Sequence, residues 1–421
     1  MFYINEADET STCLNLGVEK KLETIWRLIP INNHKEKMTK MDAIRPMRKD
    51  EKKLVNHLAR QAFGWLHWLF FSLSEHTFIY ELDGQVAGVV VVDKFTYNNG
   101  CPAGVFKWLF TEVQARGKGI AAALLDHALR YLEEEGCEEI FTTIEGYNTA
   151  SINRFADQGF LPLGFVAQVR LYGLGIIQIA LNNSHTFDLG HFLWVRPGPQ
   201  SSGKGKHSFL QNSERSFLGG GSCAWWVNVA IMAVLLIFQQ LRVGQISEVS
   251  LDLLWQAPLV VAMVFGVRTA AMKLTANYLG FKLHYRPWES GLTLSAIITL
   301  VFGGLLPSTG SYYPGSLRWS YQRELPRLGL IAFNGSLAVL SLAWVMYAFM
   351  ITGPDSGVPE VITKTIRLAL LLAQVLLVFE ILLPFFPFSS YNGRRVWDLN
   401  RALWIVLALG TASLFLVRLI S

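Results

Sequence analysis

Residues Gln114 to Ala121 read Gln-Ala-Arg-Gly-Lys-Gly-Ile-Ala and lie between an apolar run that ends at Phe110 and a helical pattern that ends at Gly136. The pattern predicts a strand, a glycine-containing turn and the first turn of a helix. That combination presents backbone N–H groups and the positive end of the helix dipole to a bound anion. The sequence therefore predicts an anion-binding loop in this segment.

The residue types within the loop fit a pyrophosphate. Gly117 and Gly119 have no side chain, so the backbone can approach phosphate oxygens closely. Arg116 and Lys118 add positive charge at the same place. The alternative interpretation is a glycine-rich turn that binds nothing, because glycine is also the usual residue of tight turns.

The neighbouring segments predict the other elements of an α/β domain. Asp83-Gly84 between two apolar runs indicates a tight β-hairpin. Helical spacing after the loop predicts one apolar face, formed by Ile120, Leu124, Leu125, Ala128, Leu129 and Leu132. The remaining predicted elements are strands over 41–47, 78–82, 85–95 and 140–144 and a helix over 50–63.

Two motifs follow one another in this part of the chain. The loop has the spacing Q-x-x-G-x-G/A, and residues 148–160 have the pattern N-x-x-S-x-x-x-(Y/F)-x-x-x-G-F. Both resemble the GNAT superfamily of N-acetyltransferases, over residues 40–190. The resemblance implies an α/β fold with a mixed, mostly antiparallel sheet and flanking helices, and acetyl-CoA or another acyl-CoA as co-substrate. The cofactor-binding residues that it implies are Thr111, Val113, Arg116, Gly117, Lys118, Gly119, Ala121, Asn148 and Ser151.

The same resemblance implies an oxyanion donor and an acid for the departing thiolate. The donor is a backbone N–H at Thr111 or its neighbour. The acid is often a tyrosine at the position that Phe155 occupies here. Tyr147 or water therefore replaces it, or the thiolate leaves unprotonated, or the domain binds coenzyme A without turnover.

The general base is expected to be a carboxylate at the end of a strand. Glu112, Glu145 and Asp93 are the candidates. Each also fits the role of a surface carboxylate, and the sequence does not choose among them. The candidate catalytic residues are therefore Glu112, Glu145 and Tyr147.

The composition excludes several classes of protein. With 51% hydrophobic and 16% charged residues, the chain does not have the composition of a soluble two-domain protein. A net charge of +5 gives no reason to expect nucleic-acid binding. The cysteines are scattered singly, in neither a zinc spacing nor a disulfide framework, so no metal is expected. They are Cys13, Cys101, Cys137 and Cys223.

Apolar runs dominate the second half and predict an all-α polytopic membrane bundle. Five runs are about long enough to span a bilayer: 224–241, 251–271, 327–351, 366–388 and 402–420. A sixth run, 291–306, is shorter. The predicted division is an N-terminal extension (1–40), an acetyltransferase-like domain (41–196), a Gly/Ser/Pro-rich linker (197–222) and a transmembrane domain (223–421).

The distribution of Lys and Arg predicts the orientation. If 291–306 is re-entrant, three basic loops all face the cytoplasm and the acidic loop 353–360 lies outside; the basic loops are 273–286, 318–327 and 394–401. Six spans are the alternative. The N-terminus has no basic segment followed by an apolar core, so no signal peptide is expected. We expect a protein of the cell membrane with a cytoplasmic N-terminal domain.

A second resemblance concerns the membrane half. Residues 266–280 and 384–395 resemble the two zinc-binding segments of site-2-protease-type membrane metalloproteases. Arg268, Thr269 and Met272 occupy the positions of His-Glu-x-x-His, and Asn392 occupies that of the later aspartate. The resemblance implies a protease scaffold without a zinc site, because these side chains cannot form one. An unrelated helical bundle is the alternative.

Three charged residues lie in or beside the apolar runs, where a charge must face protein, water or the interface. Lys273 and Glu289 are expected to reach the cytoplasmic edge of the membrane. Arg268 lies deeper and is expected either to pair with an acid or to bind a lipid head group.

Two functions remain open. One is a membrane-anchored N-acyltransferase that uses acetyl-CoA and acts on an amine of a membrane protein, peptide or amphiphile. The other is a sensory or assembly protein in which an acyl-CoA-binding module is attached to an inactive membrane scaffold. The expected partners are the lipid bilayer and a membrane-associated acceptor or protein complex.

Overall fold

The structure is a computed structural model. It describes residues 43–68, 70–98, 100–183, 188–197, 221–242, 251–352, 358–385 and 387–420. The predicted N-terminal extension and all of the predicted linker except its terminal residues lie outside this part of the chain. The loop predicted to face the outside lies largely beyond it as well.

The N-terminal half alternates strands and helices. Its strands are β1 (Ile44–Pro46), β2 (Thr77–Leu82), β3 (Gln85–Tyr97), β4 (Cys101–Thr111), β5 (Glu139–Glu145), β6 (Leu161–Pro162) and β7 (His191–Pro197). Its helices are α1 (Lys52–Trp68), α2 (Ile120–Glu134), α3 (Thr149–Asp157), α4 (Phe165–Tyr172) and α5 (Gly175–Asn182).

The strands form one mixed sheet in the order β1-β2-β3-β4-β5-β7-β6. Only β4 and β5 pair in parallel; every other neighbouring pair is antiparallel. Asp83 and Gly84 both have positive φ, 51° and 74°, in the turn between β2 and β3. Such angles are typical of a type I′ hairpin, so the predicted turn and the predicted fold class of this half are confirmed.

Helices cover both faces of the sheet. On one face, α2 buries the six apolar residues predicted from its spacing. Along β5, Ile140 packs in the cluster that contains α2, whereas Phe141 packs with Tyr172 of α4 and Ile179 of α5. Successive strand residues point to opposite faces, so α4 and α5 lie on the face opposite α2.

The C-terminal half is mostly helical. Its helices are α6 (Gly221–Arg242), α7 (Leu251–Tyr278), α8 (Glu289–Ile297), α9 (Tyr321–Thr352), α10 (Glu360–Leu377), α11 (Asn392–Leu399) and α12 (Arg401–Ile420). A π-helical turn extends α8 through Ile298–Phe302, and another extends α10 through Val378–Leu382. The sequence predicted an all-α bundle and missed one small sheet, formed by β8 (Leu283–Arg286) and β9 (Ser311–Pro314).

Among the described residues, four helices are long and apolar enough to cross a membrane: α6, α7, α9 and α10 with its extension. The fifth predicted span corresponds to α12, in which Arg401–Val417 counts as a shorter apolar helix. Residues Glu289–Phe302 also form a shorter apolar helix. That helix ends at Gly303 with φ 72°, and the chain then returns to β9.

The two halves are in direct contact. Asn153 of α3 donates to the carbonyl oxygen of Trp319 at 3.0 Å and accepts from its backbone N–H at 3.3 Å. The hydroxyl of Ser290, at the start of α8, donates to the carbonyl oxygen of Asp188 at 2.5 Å. Tyr313 of β9 also packs against Phe192 of β7, with ring centroids 5.2 Å apart, so the β8–β9 sheet and the start of α8 lie against the acetyltransferase-like domain.

Candidate functional site

The glycine loop has the predicted geometry. Gly117 and Gly119 have φ 82° and 81°, the left-handed region that side chains disfavour. Gly119 is the residue immediately before α2. The first backbone N–H groups of a helix have no partner within the helix, so this end of α2 can donate to an anion.

Five of the other residues predicted to bind the cofactor lie before or after this turn in the chain. Arg116 and Lys118 are exposed, so their charges face solvent beside the loop. Thr111 is the last residue of β4, and Val113 is 62% exposed in the short turn that follows. Ala121 lies in the first turn of α2. The chain thus places these positions around the end of β4 and the start of α2.

A split in the sheet lies beside the loop. β4 and β5 pair only from Ala103 opposite Glu139 to Phe106 opposite Thr142. Both strands continue, to Thr111 and Glu145, without pairing to each other. The unpaired edges leave backbone N–H and C=O groups available to a ligand that enters between the strands.

The start of the split coincides with a β-bulge. Val91 of β3 lies opposite Trp108, but the next residue, Val92, lies opposite Phe106. Lys107 is therefore an extra residue, and its amino group pairs with Asp93 at 2.8 Å. A bulge bends its strand and increases the local twist, which explains why β4 leaves β5 here. The apolar pattern of β4 predicted the strand but gave no signal for the bulge.

The second motif forms α3. Asn148 precedes the helix, and its side-chain oxygen accepts from the backbone N–H of Ser151 at 3.1 Å. Phe155 is buried against Phe106 and Phe160, with ring centroids 5.5 and 5.0 Å apart. The position of the expected acid is therefore an apolar contact at the start of the split.

The candidate catalytic residues lie at or just after the ends of β4 and β5. Glu145 ends β5 and accepts from the hydroxyl of Ser389 in the membrane half at 3.4 Å. Glu112 lies at the end of β4, where its backbone N–H donates to Ala87. Asp93, which we expected at a strand end, lies within β3 and pairs with Lys107, so that expectation was wrong.

Tyr147 lies at the contact between the halves. Its ring packs against Tyr313 and Tyr321, with centroids 5.4 and 5.3 Å apart. The guanidinium carbon of Arg395 lies 4.6 Å from the centre of the same ring, a cation–π distance. Its hydroxyl is buried and has no hydrogen-bond partner among the described residues. Sequence reasoning placed Tyr147 after β5 but could not foresee that the membrane half would cover it.

The membrane half contains a buried ion pair. Arg268 donates from Nε to Glu380 at 2.9 Å, and both side chains are fully buried. Ser336 donates to the same carboxylate oxygen at 3.1 Å. Of the two alternatives that the sequence left for Arg268, the structure has the pairing with an acid. Close partners of this kind offset part of the large cost of burying two charges.

Met272 and Asn392 lie beside this pair. The side-chain amide of Asn392 approaches the sulfur of Met272 at 3.6 Å. A Cβ atom on Gly335 would lie only 2.5 Å from Met272, so α9 packs tightly against α7 at this point. Among the described residues, no group of three or more His, Cys, Asp or Glu side chains could hold a metal ion.

Glu289 differs from its expected position at the membrane edge. Both of its carboxylate oxygens are buried, and neither has a side-chain hydrogen-bond partner among the described residues. It lines a cavity of 270 Å³ together with residues of β5, α4 and α5. Lys273, in contrast, is exposed. Nothing in the sequence around Glu289 indicated a contact with the other half.

Comparison with known proteins identifies the N-terminal half. Residues 41–160 match the model of the acetyltransferase (GNAT) family. This segment is therefore a GNAT acetyltransferase domain, as its two motifs predicted. The match covers less than half of the chain and does not extend into the membrane half. A search of curated proteins found no match to the chain.

Solved structures similar to the chain include several acetyltransferases. The N-acetylglutamate synthase from Neisseria gonorrhoeae, complexed with coenzyme A and N-acetyl-glutamate, is 19% identical over 37% of this chain and 34% of its own, with TM-score 0.28. The ribosomal-protein-alanine N-acetyltransferase from Brucella melitensis is 17% identical over 37% and 98%, with TM-score 0.27. An N-acetyltransferase from Staphylococcus aureus Mu50 is 19% identical over 29% and 84%, with TM-score 0.25.

Proposed function

We propose that the protein is a membrane-anchored N-acyltransferase that uses acetyl-CoA and transfers its acyl group to an amine of a membrane-associated acceptor. The observation that carries the proposal is the pair of left-handed glycines before α2, next to the split between β4 and β5. The loop supplies N–H donors and cations for the pyrophosphate. The split supplies unpaired strand edges for the arm that bears the thioester.

The proposed orientation places the GNAT domain in the cytoplasm, facing acetyl-CoA. The four apolar helices anchor the chain, and α8 with its π-helical extension is the proposed re-entrant segment. The contacts of Asn153 and Ser290 with the other half support this arrangement, because they hold the domain against the membrane half. An acceptor held at the membrane surface would then be close to the thioester.

The candidate catalytic groups have separate roles in this proposal. Thr111 or its neighbour would provide a backbone N–H for the oxyanion. Glu112 and Glu145 are the proposed bases, and Tyr147 is the proposed acid for the thiolate. The buried hydroxyl of Tyr147 has no partner among the described residues, which supports a role that a bound ligand would complete.

The test is acyl transfer by the full-length protein in lipid nanodiscs. Radiolabelled acetyl-CoA and a membrane extract are supplied, and both free thiol and label in the extract are measured. Transfer predicts equal amounts of thiol and acetylated acceptor. Thiol without labelled acceptor would indicate hydrolysis, and coenzyme-A binding without thiol release would refute the enzymatic proposal. Gly117→Asp should reduce transfer because it places a negative charge in the proposed pyrophosphate loop, and Gly136→Asp is its control because it places the same charge beyond the far end of α2.

A second function is favoured by Phe155. Its ring fills the position of the usual acid and packs in the core, so the domain could bind an acyl-CoA without transferring it. In this alternative, the membrane half is an inactive scaffold similar to that of site-2 proteases. The contact between Met272 and Asn392 supports that resemblance, because the two positions matched to zinc ligands lie together. The nanodisc assay separates the alternatives, since only an enzyme produces acetylated acceptor.

A further inference from the structure

A cavity of 270 Å³ lies where the GNAT domain meets the membrane half. Thr143 of β5 and Leu193 of β7 form its floor, α4 and α5 form its walls, and Glu289 of α8 lies on the membrane side. Thr143 directly follows Thr142, the last residue of β5 that pairs with β4. The cavity therefore borders the split between the strands, on the face opposite α2.

Two buried polar groups line the cavity. The Thr143 hydroxyl is buried and has no hydrogen-bond partner among the described residues. The Glu289 carboxylate is also buried; it accepts hydrogen bonds from the backbone N–H groups of Phe165 and of Glu289 itself, but from no side chain in that part of the chain. Buried polar groups whose hydrogen bonds are incomplete are costly, so such positions commonly mark a site that a ligand or water completes. A carboxylate and a hydroxyl acceptor together fit a cation that carries N–H donors.

The rest of the lining is apolar and reaches the surface. Ile177 and Leu181 of α5 line the cavity and are 56% and 72% exposed. Leu174, in the turn between α4 and α5, is 84% exposed. The two helices together are apolar enough for a membrane span but are bent by 117°. Exposed apolar residues on a protein that already contacts a bilayer are expected to face lipid.

We propose that this cavity is the acceptor site, that it takes a primary amine carried on an apolar chain, and that Glu289 of the membrane half binds its ammonium group. The chain of the amine would lie against Ile177 and Leu181 and extend toward the bilayer. The inference rests on the proposed acyltransfer, because the acyl group must come from a thioester in the neighbouring split. It makes the membrane half part of the active site rather than only an anchor.

The chemistry balances with Glu289, in place of Glu112 or Glu145, as the first proton acceptor. The ammonium group gives one proton to the carboxylate, and the freed nitrogen lone pair attacks the thioester carbonyl carbon. The carbon–sulfur bond then breaks, the amide remains on the acceptor, and the second nitrogen proton goes to the thiolate. Glu289 returns its proton to water. Burial raises the pKa of Glu289 to about 7, despite Arg286 nearby, so the carboxyl can change protonation state near neutral pH.

The test measures amine binding separately from turnover. Radiolabelled dodecylamine is titrated into full-length protein in nanodiscs with coenzyme A present, and free nanodiscs correct for partitioning into lipid. Glu289→Gln should weaken protein-dependent binding by about tenfold to a hundredfold, because it removes a charge-assisted contact. Glu360→Gln is the matched control, since Glu360 is exposed and pairs with Lys364 at the start of α10. It should bind as the unchanged protein does.

Two further probes test the remaining parts of the proposal. Dodecanol, which has no charge, should bind equally to the unchanged protein and to Glu289→Gln. Ethylamine, which lacks the apolar chain, should bind at least tenfold more weakly than dodecylamine. In the unchanged protein, affinity for dodecylamine should fall as the pH decreases below about 7, whereas in Glu289→Gln it should not. Because both proteins keep His191 and Arg286, the comparison removes any effect of these two groups on the pH dependence.

The outcomes separate this inference from the proposed function. If Glu289→Gln binds dodecylamine normally, or ethylamine binds as well as dodecylamine, the inference is wrong, whatever the acyltransfer assay gives. If amine binding depends on Glu289 but no acyl group is transferred to any amine, the site stands and the proposed enzyme does not. Retained coenzyme-A affinity and an unchanged melting temperature show that each variant is folded.

Discussion

Replacing Gly117 by Asp should abolish most coenzyme-A binding, whereas the same change at Gly136 should not. Both glycines have positive φ, 82° and 79°, and in both cases an added Cβ meets no atom within 4 Å. Both variants therefore carry the same left-handed strain, about 1 to 2 kcal/mol. They differ in position, because Gly117 lies in the proposed pyrophosphate loop and Gly136 lies beyond the other end of α2.

The expected loss of affinity follows from Coulomb repulsion. A carboxylate roughly 5 Å from a phosphate charge costs about 1 to 3 kcal/mol at an exposed loop. That energy corresponds to a loss of roughly fivefold to 150-fold in affinity. Gly117→Asp should be more stable to unfolding than Gly136→Asp, because a negative charge near the start of α2 interacts favourably with the helix dipole and one beyond its end does not.

Isothermal titration of coenzyme A into the full-length protein in detergent measures the affinity, and thermal unfolding measures stability. The difference between the variants should shrink from 0.05 to 0.5 M salt, because screening weakens repulsion at an exposed site. Equal affinities for the two variants would refute the assignment of the loop. So would a Gly117→Asp defect that persists unchanged at high salt, since strain and not charge would then explain it.

Four further predictions concern other parts of the chain. Arg268→Met should destabilise the protein by about 3 to 5 kcal/mol, because it leaves Glu380 buried and unpaired, and adding Glu380→Gln should recover much of the loss in melting temperature. Glu51→Gln should lower the stability of the GNAT domain at pH 7, because Arg45 lowers the pKa of Glu51 from 4.5 to about 2. The stabilisation is therefore present above pH 4.5 and is lost as the pH falls toward 2. The difference in melting temperature between Glu51→Gln and the unchanged protein should vanish near pH 2. A cysteine at position 355 should react with an impermeant maleimide in intact cells while one at 394 should not, and labelling at 394 alone would reverse the proposed orientation. Elemental analysis of the purified protein should give well under one zinc per chain, since His284 is the only histidine after residue 223, and stoichiometric zinc that is lost in His284→Ala would contradict this.

Local patterns predicted the parts of the fold that depend on neighbouring residues. The Asp83-Gly84 turn and the glycine loop need left-handed backbone angles, which glycine and aspartate tolerate, and the structure has those angles. The buried face of α2 follows from its helical spacing alone. The apolar runs predicted the candidate spans because their length and composition are visible directly in the sequence.

The parts of the candidate site that depend on long-range pairing were not predictable in this way. The bulge at Lys107 reflects the register between β3 and β4, which alternation of apolar residues does not determine by itself. The β8–β9 sheet joins two short segments separated by α8, and neither has a strong strand pattern. Asp93 was a candidate base because the sequence does not show that its partner Lys107 lies beside it on another strand.

The sequence by itself determined that a GNAT domain with a glycine loop precedes an apolar, mostly helical half, since motif spacing and composition are properties of the chain. Only the tertiary structure decided that these halves share a surface. Glu289 is 146 positions from Thr143 in the numbering, yet both line one cavity. Arg268 and Glu380 pair across 112 positions. Such contacts arise because helices and strands pack through faces that local periodicity predicts, whereas the choice of partner for each face depends on the whole chain.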